Sequence, residues 1–228
     1  MKFGIIAAME QELKTLVAAL QDENQVIILD KTYYTGHIGH HEVVLVQSGI
    51  GKVMSAMSVA ILAEKFQVDM IINTGSAGGV ADGLEVGDVV IADKLVYHDV
   101  DVTAFGYAYG QMAGQDLYYH ADKEWILQLE KVLIQQELSS HVGLIATGDS
   151  FIAGPEKVAR IKTHFPEVMA VEMEGAAIAQ AAQAAGKPFL VIRAMSDTAQ
   201  GDAHITFDQF IVEAGKRSAQ TLLALLEF

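Results

Sequence analysis

The chain has 228 residues, of which 51% are hydrophobic, and its formal net charge at pH 7 is −14. This size and apolar content suit one substantial core, so we expect a single domain over residues 1–228. The negative charge argues against nucleic-acid or anionic-membrane partners, since both require clustered Lys and Arg. The absence of cysteine excludes disulfides, thiolate metal sites and cysteine nucleophiles.

The N-terminal segment begins like a secretion signal, but Glu10 and Glu12 interrupt its apolar run and no cleavage site follows. No apolar stretch elsewhere approaches the length needed to cross a bilayer. A chain without cysteine is also compatible with a reducing compartment. We therefore expect a cytoplasmic protein.

Short runs rich in Val and Ile alternate with segments of helical periodicity. The predicted strands are Phe3–Ala7, Val26–Leu29, Tyr33–Ile38, Val43–Gln47, Met70–Asn73, Asp88–Ala92, Gly143–Ala146, Val168–Val171 and Phe189–Arg193. The predicted helices are Glu10–Gln21, Lys52–Phe66, Lys123–Gln136, Pro155–His164, Gly175–Ala185 and Phe207–Leu226. This alternation predicts the α/β class, as a single-domain α/β/α sandwich around a central mixed, mainly parallel sheet.

Charged residues collect where the predicted strands end. Glu12 follows the first strand, Asp197 follows the last, and Glu172 and Glu174 follow the strand before it, while Arg193 ends the last strand. Ligands of open α/β sheets bind outside the carboxyl ends of the strands. The small residues around these charges allow a backbone to approach a ligand closely. We therefore expect one binding site at this edge.

Each charged residue also has a purely structural interpretation. Glu12 fits a solvated acid in the first turns of a helix, and Asp197 fits a helix N-cap. Arg193 fits a buried ion pair with Glu172 or Glu174 that has no chemical role. Taken singly, none of these residues identifies a catalyst.

Two glycine-rich segments and two histidine-containing segments fail the motifs that they suggest. Ser48–Lys52 lacks the first glycine and the final Ser or Thr of a P-loop, and Thr74–Gly79 lacks the GxGxxG spacing. His40–His41 and His98–Asp101 lack the spacing and the third ligand of a metal site. We expect neither a metal nor a cofactor. The aromatic segment Val102–Met112 is predicted to cover a ligand or a partner subunit.

Several segments together resemble the bacterial 5′-methylthioadenosine/S-adenosylhomocysteine nucleosidases, within the nucleoside phosphorylase superfamily. The resemblance covers essentially the whole chain. The segments that carry it are Gly4–Glu12, Ser48–Lys52, Ile71–Gly79, Tyr97–Tyr107, Val171–Glu174 and Val191–Asp197. It implies the type I nucleoside phosphorylase fold and a homodimer. It also implies hydrolysis of the N9–C1′ bond of methylthioadenosine, adenosylhomocysteine and 5′-deoxyadenosine, in methionine salvage and S-adenosylmethionine by-product recycling.

The resemblance also implies roles for particular residues. Glu12 would orient the attacking water with Arg193 and Glu174, and Glu174 would hold the ribose hydroxyls. Asp197 would protonate N7 of adenine, oriented by Ser76 or Ser196. The other implied contacts are Met173, Glu172 and Ser76 at the water and ribose; Phe151, Ile152, Ser196 and Gly78 at adenine; Met9, Ile50 and Phe207 at the 5′-alkylthio group; and, from a second subunit, Val102, Phe105 and Tyr107.

The chemistry agrees with these roles. Breaking the N-ribosyl bond leaves an oxocarbenium-like sugar and an electron-rich base, so one carboxyl group protonates the base while another serves the water. Asp197 must carry a proton, so we expect its pKa to be raised. Soft side chains at the strand ends suit a thioether.

Three alternatives remain. One is a phosphate-dependent purine nucleoside phosphorylase, which would need arginines near the glycine loops. The strand before Gly75 ends in Asn73 and no arginine accompanies the first strand, so hydrolysis is favoured. The second is a non-catalytic nucleoside-binding protein, and the third a hydrolase for another 6-aminopurine nucleoside, such as aminodeoxyfutalosine.

Overall fold

The computed structural model describes residues 1–135, 138–199 and 203–227, apart from the side chains of residues 203–206. The strands are β1 (Lys2–Ala7), β2 (Gln21–Ile28), β3 (Lys31–Ile38), β4 (His41–Gln47), β5 (Met70–Gly79), β6 (Val89–Tyr97), β7 (Tyr119–His120), β8 (Ser140–Thr147), β9 (Val168–Glu172) and β10 (Phe189–Asp197). The helices are α1 (Glu10–Ala18), α2 (Lys52–Glu64), α3 (Lys123–Gln135), α4 (Pro155–His164), α5 (Gly175–Ala184) and α6 (Ala203–Glu227).

The strands form one mixed sheet in the order β10-β6-β8-β9-β5-β1-β4-β3-β2, with β7 beside β6. Its centre is parallel, since β1 pairs in parallel with β4 and β5, and β5 in parallel with β10. Strand β5 also pairs with β9, so β5, β10, β6, β8 and β9 close into a ring. The predicted mixed sheet is confirmed.

Helices cover the sheet in two groups. Helices α1 and α6 pack together, and α6 lies against β5 and β10, whereas α2 and α5 form a second pair against β1 and β8. Neighbouring residues of β1, Ile5 and Ile6, point to opposite faces of the sheet, and both are fully buried. Both faces are therefore covered, as the continuous apolar strand runs predict.

The main differences from the predicted elements lie at the strand ends. Strand β5 continues through Thr74–Gly79, beyond its predicted end at Asn73, because this segment pairs with β10 over most of its length. Strand β10 likewise continues to Asp197. The alternative that Asp197 caps a helix is therefore wrong, since it lies in a strand six residues before α6 begins. The small residues of Thr74–Gly79 therefore belong to a strand, and charged side chains approach this strand closely.

Smaller differences occur elsewhere. Helix α1 ends at Ala18 rather than Gln21, because Gln21 already pairs with His37 in the β2–β3 hairpin. The short strand β7 was not predicted, and Gln136 lies outside the described residues. Within the described part of the chain, no helix is both long and apolar enough to cross a membrane.

Candidate active site

The carboxyl ends of β1, β5, β9 and β10 meet around one cavity of about 290 Å³. The register explains this convergence, since Asn73 of β5 pairs with Ile6 of β1 and with Val191 of β10. The cavity is lined by Ala8, Met9, Glu12, Ile50, Ser76, Ala77, Gly78, Phe151, Val171, Glu172, Met173, Glu174, Ser196, Asp197 and Phe207. Five predicted site residues are not part of this lining, namely Ile152, Arg193, Val102, Phe105 and Tyr107.

Glu12 is buried and its carboxylate is held by four hydrogen bonds. Oε2 accepts from the backbone N–H groups of Ala8 (3.0 Å) and Met9 (2.9 Å), at the start of α1. Oε1 accepts from the backbone N–H and the hydroxyl of Ser76, each at 3.0 Å. The solvated-acid interpretation is therefore wrong. This carboxylate is fixed in orientation at the cavity wall.

Arg193 is the fully buried cation behind the cavity. Its Nη2 donates to Glu172 and, at 2.5 Å, to the side-chain oxygen of Asn73, and it lies 3.5 Å from Oε2 of Glu174. Burial opposes its charge, but the carboxylates of Glu172, Glu174 and Glu12 outweigh burial and raise the pKa of Arg193. The guanidinium is therefore neutralised by protein carboxylates.

Glu172 connects this ion pair to the backbone. It accepts a short hydrogen bond from the hydroxyl of Thr147, and its Oε2 accepts from the backbone N–H groups of Glu174 (3.1 Å) and Gly175 (2.7 Å). These last two groups lie at the N-terminus of α5. Glu172 thus holds the segment that carries Glu174.

Glu174 is buried, and its Oε1 accepts a hydrogen bond of 2.9 Å from the backbone N–H of Gly51. Burial, together with the charge of Glu172, raises the pKa of Glu174 to about 7, while Arg193 and Gly51 act in the opposite direction. This carboxyl group therefore exchanges its proton near neutral pH.

Asp197 is buried at the end of β10. Its Oδ2 accepts from the hydroxyl of Ser196 at 3.0 Å, and its Oδ1 accepts from the backbone N–H of Ala199 at 2.7 Å. Burial raises the pKa of Asp197 against the lowering effect of these two hydrogen bonds. Of the two serines considered at this position, Ser196 contacts Asp197, whereas Ser76 contacts Glu12.

Two glycines of β5 are required by close packing. A Cβ atom at Gly75 would overlap Nη1 of Arg193 and lie 2.9 Å from Oε1 of Glu12. A Cβ atom at Gly78 would lie 3.0 Å from Oδ1 of Asp197. The absence of a side chain at these two positions lets Arg193, Glu12 and Asp197 approach the strand closely.

Apolar side chains form the rest of the cavity wall. Phe151 is 41% exposed and meets Phe207 edge-on, with ring centroids 5.5 Å apart and an interplanar angle of 73°. Ile50 and Met9 line the same cavity, and Ile152 is buried beside Phe151. Aromatic faces and thioethers of this kind suit a purine ring and an alkylthio group.

The aromatic 102–112 segment lies away from the cavity of its own chain. Phe105 is 82% exposed at the end of a short 3₁₀ turn, Thr103–Phe105, and the hydroxyl of Tyr107 accepts from the backbone N–H of Gly114 at 3.2 Å. These side chains therefore do not reach the ligand cavity within one chain.

Five residues of the site were not predicted from the sequence. Asn73 and Thr147 hold Arg193 and Glu172, and Ala8, Ala77 and Val171 line the cavity. Asn73 and Thr147 are polar residues at the ends of apolar strand runs, which is the signal that identified the carboxylates. The three apolar residues carry no such signal.

Comparison with known proteins first identifies the class. A family model of the phosphorylase superfamily matches residues 2–227. The chain belongs to this superfamily.

Individual relatives then identify the family. The chain is 46% identical to the 5′-methylthioadenosine/S-adenosylhomocysteine nucleosidase of Geobacillus thermodenitrificans, over 99% of this chain and 96% of the relative. The solved S-adenosylhomocysteine nucleosidase of Streptococcus pyogenes, in complex with 5-methylthiotubericidin, superposes with a TM-score of 0.98 and 66% identity, over 100% of this chain and 96% of that one. The Streptococcus pneumoniae nucleosidase with the transition-state inhibitor MT-ImmA gives a TM-score of 0.97 at 66% identity, over 100% and 99%. The chain belongs to the 5′-methylthioadenosine/S-adenosylhomocysteine nucleosidase family.

Proposed function

We propose that this protein hydrolyses the N9–C1′ bond of 5′-methylthioadenosine and S-adenosylhomocysteine and releases adenine and the 5-substituted ribose. One observation carries the proposal. Two buried carboxyl groups, Glu12 and Asp197, line one cavity in different environments, one among four hydrogen-bond donors and one with a raised pKa. N-ribosyl cleavage needs this division of labour between two carboxyl groups.

Asp197 is the general acid. Its raised pKa keeps a proton available, and the proton passes to N7 of adenine as the N9–C1′ electron pair moves onto the base. Ser196 orients the carboxyl group through Oδ2. Phe151 stacks on the base, and Ile152 and Gly78 lie beside its edge.

Glu12 binds the attacking water and accepts its proton. The hydroxyl of Ser76 is its only donor that rotates, so a water molecule replaces that contact most readily. The water adds to C1′ as positive charge develops there, and it passes its proton to the Glu12 carboxylate. A weak nucleophile is sufficient because the sugar is cationic.

The ribose is held by the charged cluster behind Glu12. Glu174 accepts from the ribose hydroxyls together with the backbone of Met173, and Arg193 and Glu172 hold Glu174 in place. The negative charge of this cluster also stabilises the oxocarbenium-like sugar.

Water is favoured over phosphate as the nucleophile for an electrostatic reason. Arg193 is paired with Glu172 and Glu174, and Glu12 adds a third carboxylate to the same cluster. A phosphate dianion would have to enter a site whose cation is already neutralised, at a large desolvation cost.

We further propose that the enzyme is a cytoplasmic homodimer whose single domain spans residues 1–228. The cavity is open at Ile50, which is 55% exposed, and the next helix presents Val53, which is 68% exposed. Phe105 presents a large apolar surface elsewhere on the same chain. Isologous pairing would let Val102, Phe105 and Tyr107 of one subunit close the 5′-alkylthio pocket of the other. The charge of −14 disfavours nucleic-acid and membrane partners.

The reaction class is tested by following adenine release from methylthioadenosine with and without inorganic phosphate. We expect equal rates, and methylthioribose as the sugar product in both cases. Formation of a sugar 1-phosphate would contradict hydrolysis.

The acid is tested with Asp197→Asn, which keeps the size of the side chain but removes its transferable proton. We expect kcat to fall by roughly three orders of magnitude while nucleoside binding, measured by calorimetry, changes little. Asp82→Asn, on an exposed loop, is the matched control. Activity retained in Asp197→Asn would overturn the assignment.

A further inference from the structure

The Glu174 carboxylate depends on a loop that lies far from it in sequence. Gly51 donates its backbone N–H to Oε1 of Glu174 at 2.9 Å, and the loop reaches this position with a φ of 98° at Gly51. Helix α2 begins at the next residue, Lys52, and Gly51 is its N-cap. Because glycine has no side chain, the N-cap residue cannot itself hold the start of this helix.

Asp149 supplies that missing contact from another strand end. Its Oδ1 accepts from the backbone N–H of Lys52 at 2.9 Å, and its own N–H donates to Oδ2 of Asp99 at 2.9 Å. The ammonium of Lys52 in turn donates to both oxygens of Asp99, at 2.8 and 2.9 Å. These three residues form a closed network, which we call the Asp149 network.

The geometry ties adjacent N–H groups to different carboxylates. The N–H of Lys52 points at Asp149 and the N–H of Gly51 points at Glu174. A Cβ atom at Gly51 would lie 3.0 Å from Oδ1 of Asp149, so the Asp149 carboxylate packs directly against the backbone of Gly51. Only the φ and ψ angles of Gly51 separate these two peptide groups, so holding the Lys52 N–H at Asp149 restricts the position of the Gly51 N–H.

We infer that Asp149, supported by Lys52 and Asp99, is a positioning residue for N-ribosyl hydrolysis, because it holds the Gly51 N–H against the ribose-binding carboxylate of Glu174. The inference rests on the proposed function, in which Glu174 binds the ribose hydroxyls. Asp149 also lies two residues before Phe151, so the network joins the adenine-binding segment to the ribose-binding segment.

The first test compares two substitutions of Asp149. Asp149→Ala removes the acceptor, and we expect kcat/KM for methylthioadenosine to fall about tenfold, the effect of one misplaced hydrogen bond. Asp149→Asn retains an oxygen that caps Lys52, since asparagine caps helices as well as aspartate does. Asp149→Asn should therefore retain most of the wild-type kcat/KM. Asp82→Ala, which removes an exposed aspartate paired with Lys162, is the control and should leave the rate unchanged.

The decisive test is a double-mutant cycle. If Asp149 acts through Glu174, the tenfold effect of Asp149→Ala should nearly disappear in a Glu174→Ala background, which removes the oxygen that accepts from the Gly51 N–H. A merely structural contribution of Asp149 would give multiplicative losses, and that result would overturn the inference. Asp99→Asn provides a second route if Asp149→Ala does not fold, with a smaller loss and the same dependence on Glu174.

The two proposals fail in different ways. If Glu174→Ala alone retains full activity, the ribose role of Glu174 in the proposed function is wrong. If Glu174→Ala is impaired but Asp149→Ala and Asp99→Asn act independently of it, only the positioning role is wrong.

Discussion

Glu12 and Asp197 are both buried carboxyl groups, but they differ in their hydrogen-bond donors, and this difference distinguishes their proposed roles. The Glu12 carboxylate faces four donors and its position is fixed by the start of α1 and by β5. Asp197 has two donors, and burial outweighs them, so its pKa is raised. A general acid near neutral pH needs a raised pKa, and the protein provides it by enclosing the group rather than by adding a charge beside it.

The Ser196→Ala substitution tests this balance. The hydroxyl of Ser196 lowers the pKa of Asp197, so its removal should raise that pKa further. Because Asp197 acts in its protonated form, the alkaline limb of the kcat/KM profile should move to higher pH. Ser58→Ala, which removes a buried hydroxyl bonded to Met54, should leave the profile unchanged. A shift to lower pH would contradict Asp197 as the acid.

Strand β5 contacts the charged groups of the site through its small residues and its backbone, as in the hydrogen bond from the Ser76 N–H to Glu12. Its segment Thr74–Gly79 pairs with β10 and β9, so its backbone hydrogen bonds are satisfied. Its residues are small, so neighbouring side chains can lie close to the strand. Arg193 and Glu12 occupy the space beside Gly75. The glycine at position 75 therefore leaves the space that the Arg193 guanidinium and the Glu12 carboxylate occupy.

Gly75→Ala should disrupt this arrangement. The added methyl group would overlap the Arg193 guanidinium and approach Glu12, so we expect a loss of about 2 kcal/mol in the free energy of unfolding, with a fall in kcat of at least about tenfold. Gly79→Ala, on the same strand, meets its neighbours only at 3.4 Å and is the matched control. Urea unfolding and adenine release measure the two effects. Equal behaviour of the two variants would contradict the packing argument.

The stability of the whole molecule is linked to the charge of its site. The pKa of Glu174 is about 7 in the folded chain against an ordinary value of 4.5, so the folded state binds a proton more tightly than the unfolded state. The resulting stability is fully present below pH 4.5 and is lost as the pH rises through 7.

Glu174→Gln should remove this dependence. Relative to this variant, the wild-type free energy of unfolding should fall by about 2 kcal/mol between pH 5 and pH 8, because deprotonation leaves a buried charge beside Glu172. Urea unfolding at both pH values measures the difference. Parallel pH dependence in the two proteins would contradict the raised pKa.

The proposed homodimer is tested by complementation. Phe105→Ala should raise KM for methylthioadenosine by about tenfold, since a large apolar contact is lost. When it is refolded with Asp197→Asn, half of the randomly paired dimers are hybrids and each hybrid has one intact site. At methylthioadenosine concentrations well below KM, activity should therefore be about a quarter of wild type. Activity equal to the average of the two separate variants would contradict a shared pocket.

Alternating apolar runs and helical periods in the sequence were sufficient to predict the mixed α/β sheet, because burial on both faces leaves a continuous apolar pattern. They also predicted which strand ends carry charge. Local patterns did not predict that Thr74–Gly79 is a strand, that Ser196 rather than Ser76 contacts Asp197, or that Asn73 and Thr147 support the ion pairs. These features depend on register and on contacts between residues distant in sequence. Only the folded sheet brings Glu12 and Asp197 to one cavity, where burial and hydrogen bonding give the two carboxyl groups different environments.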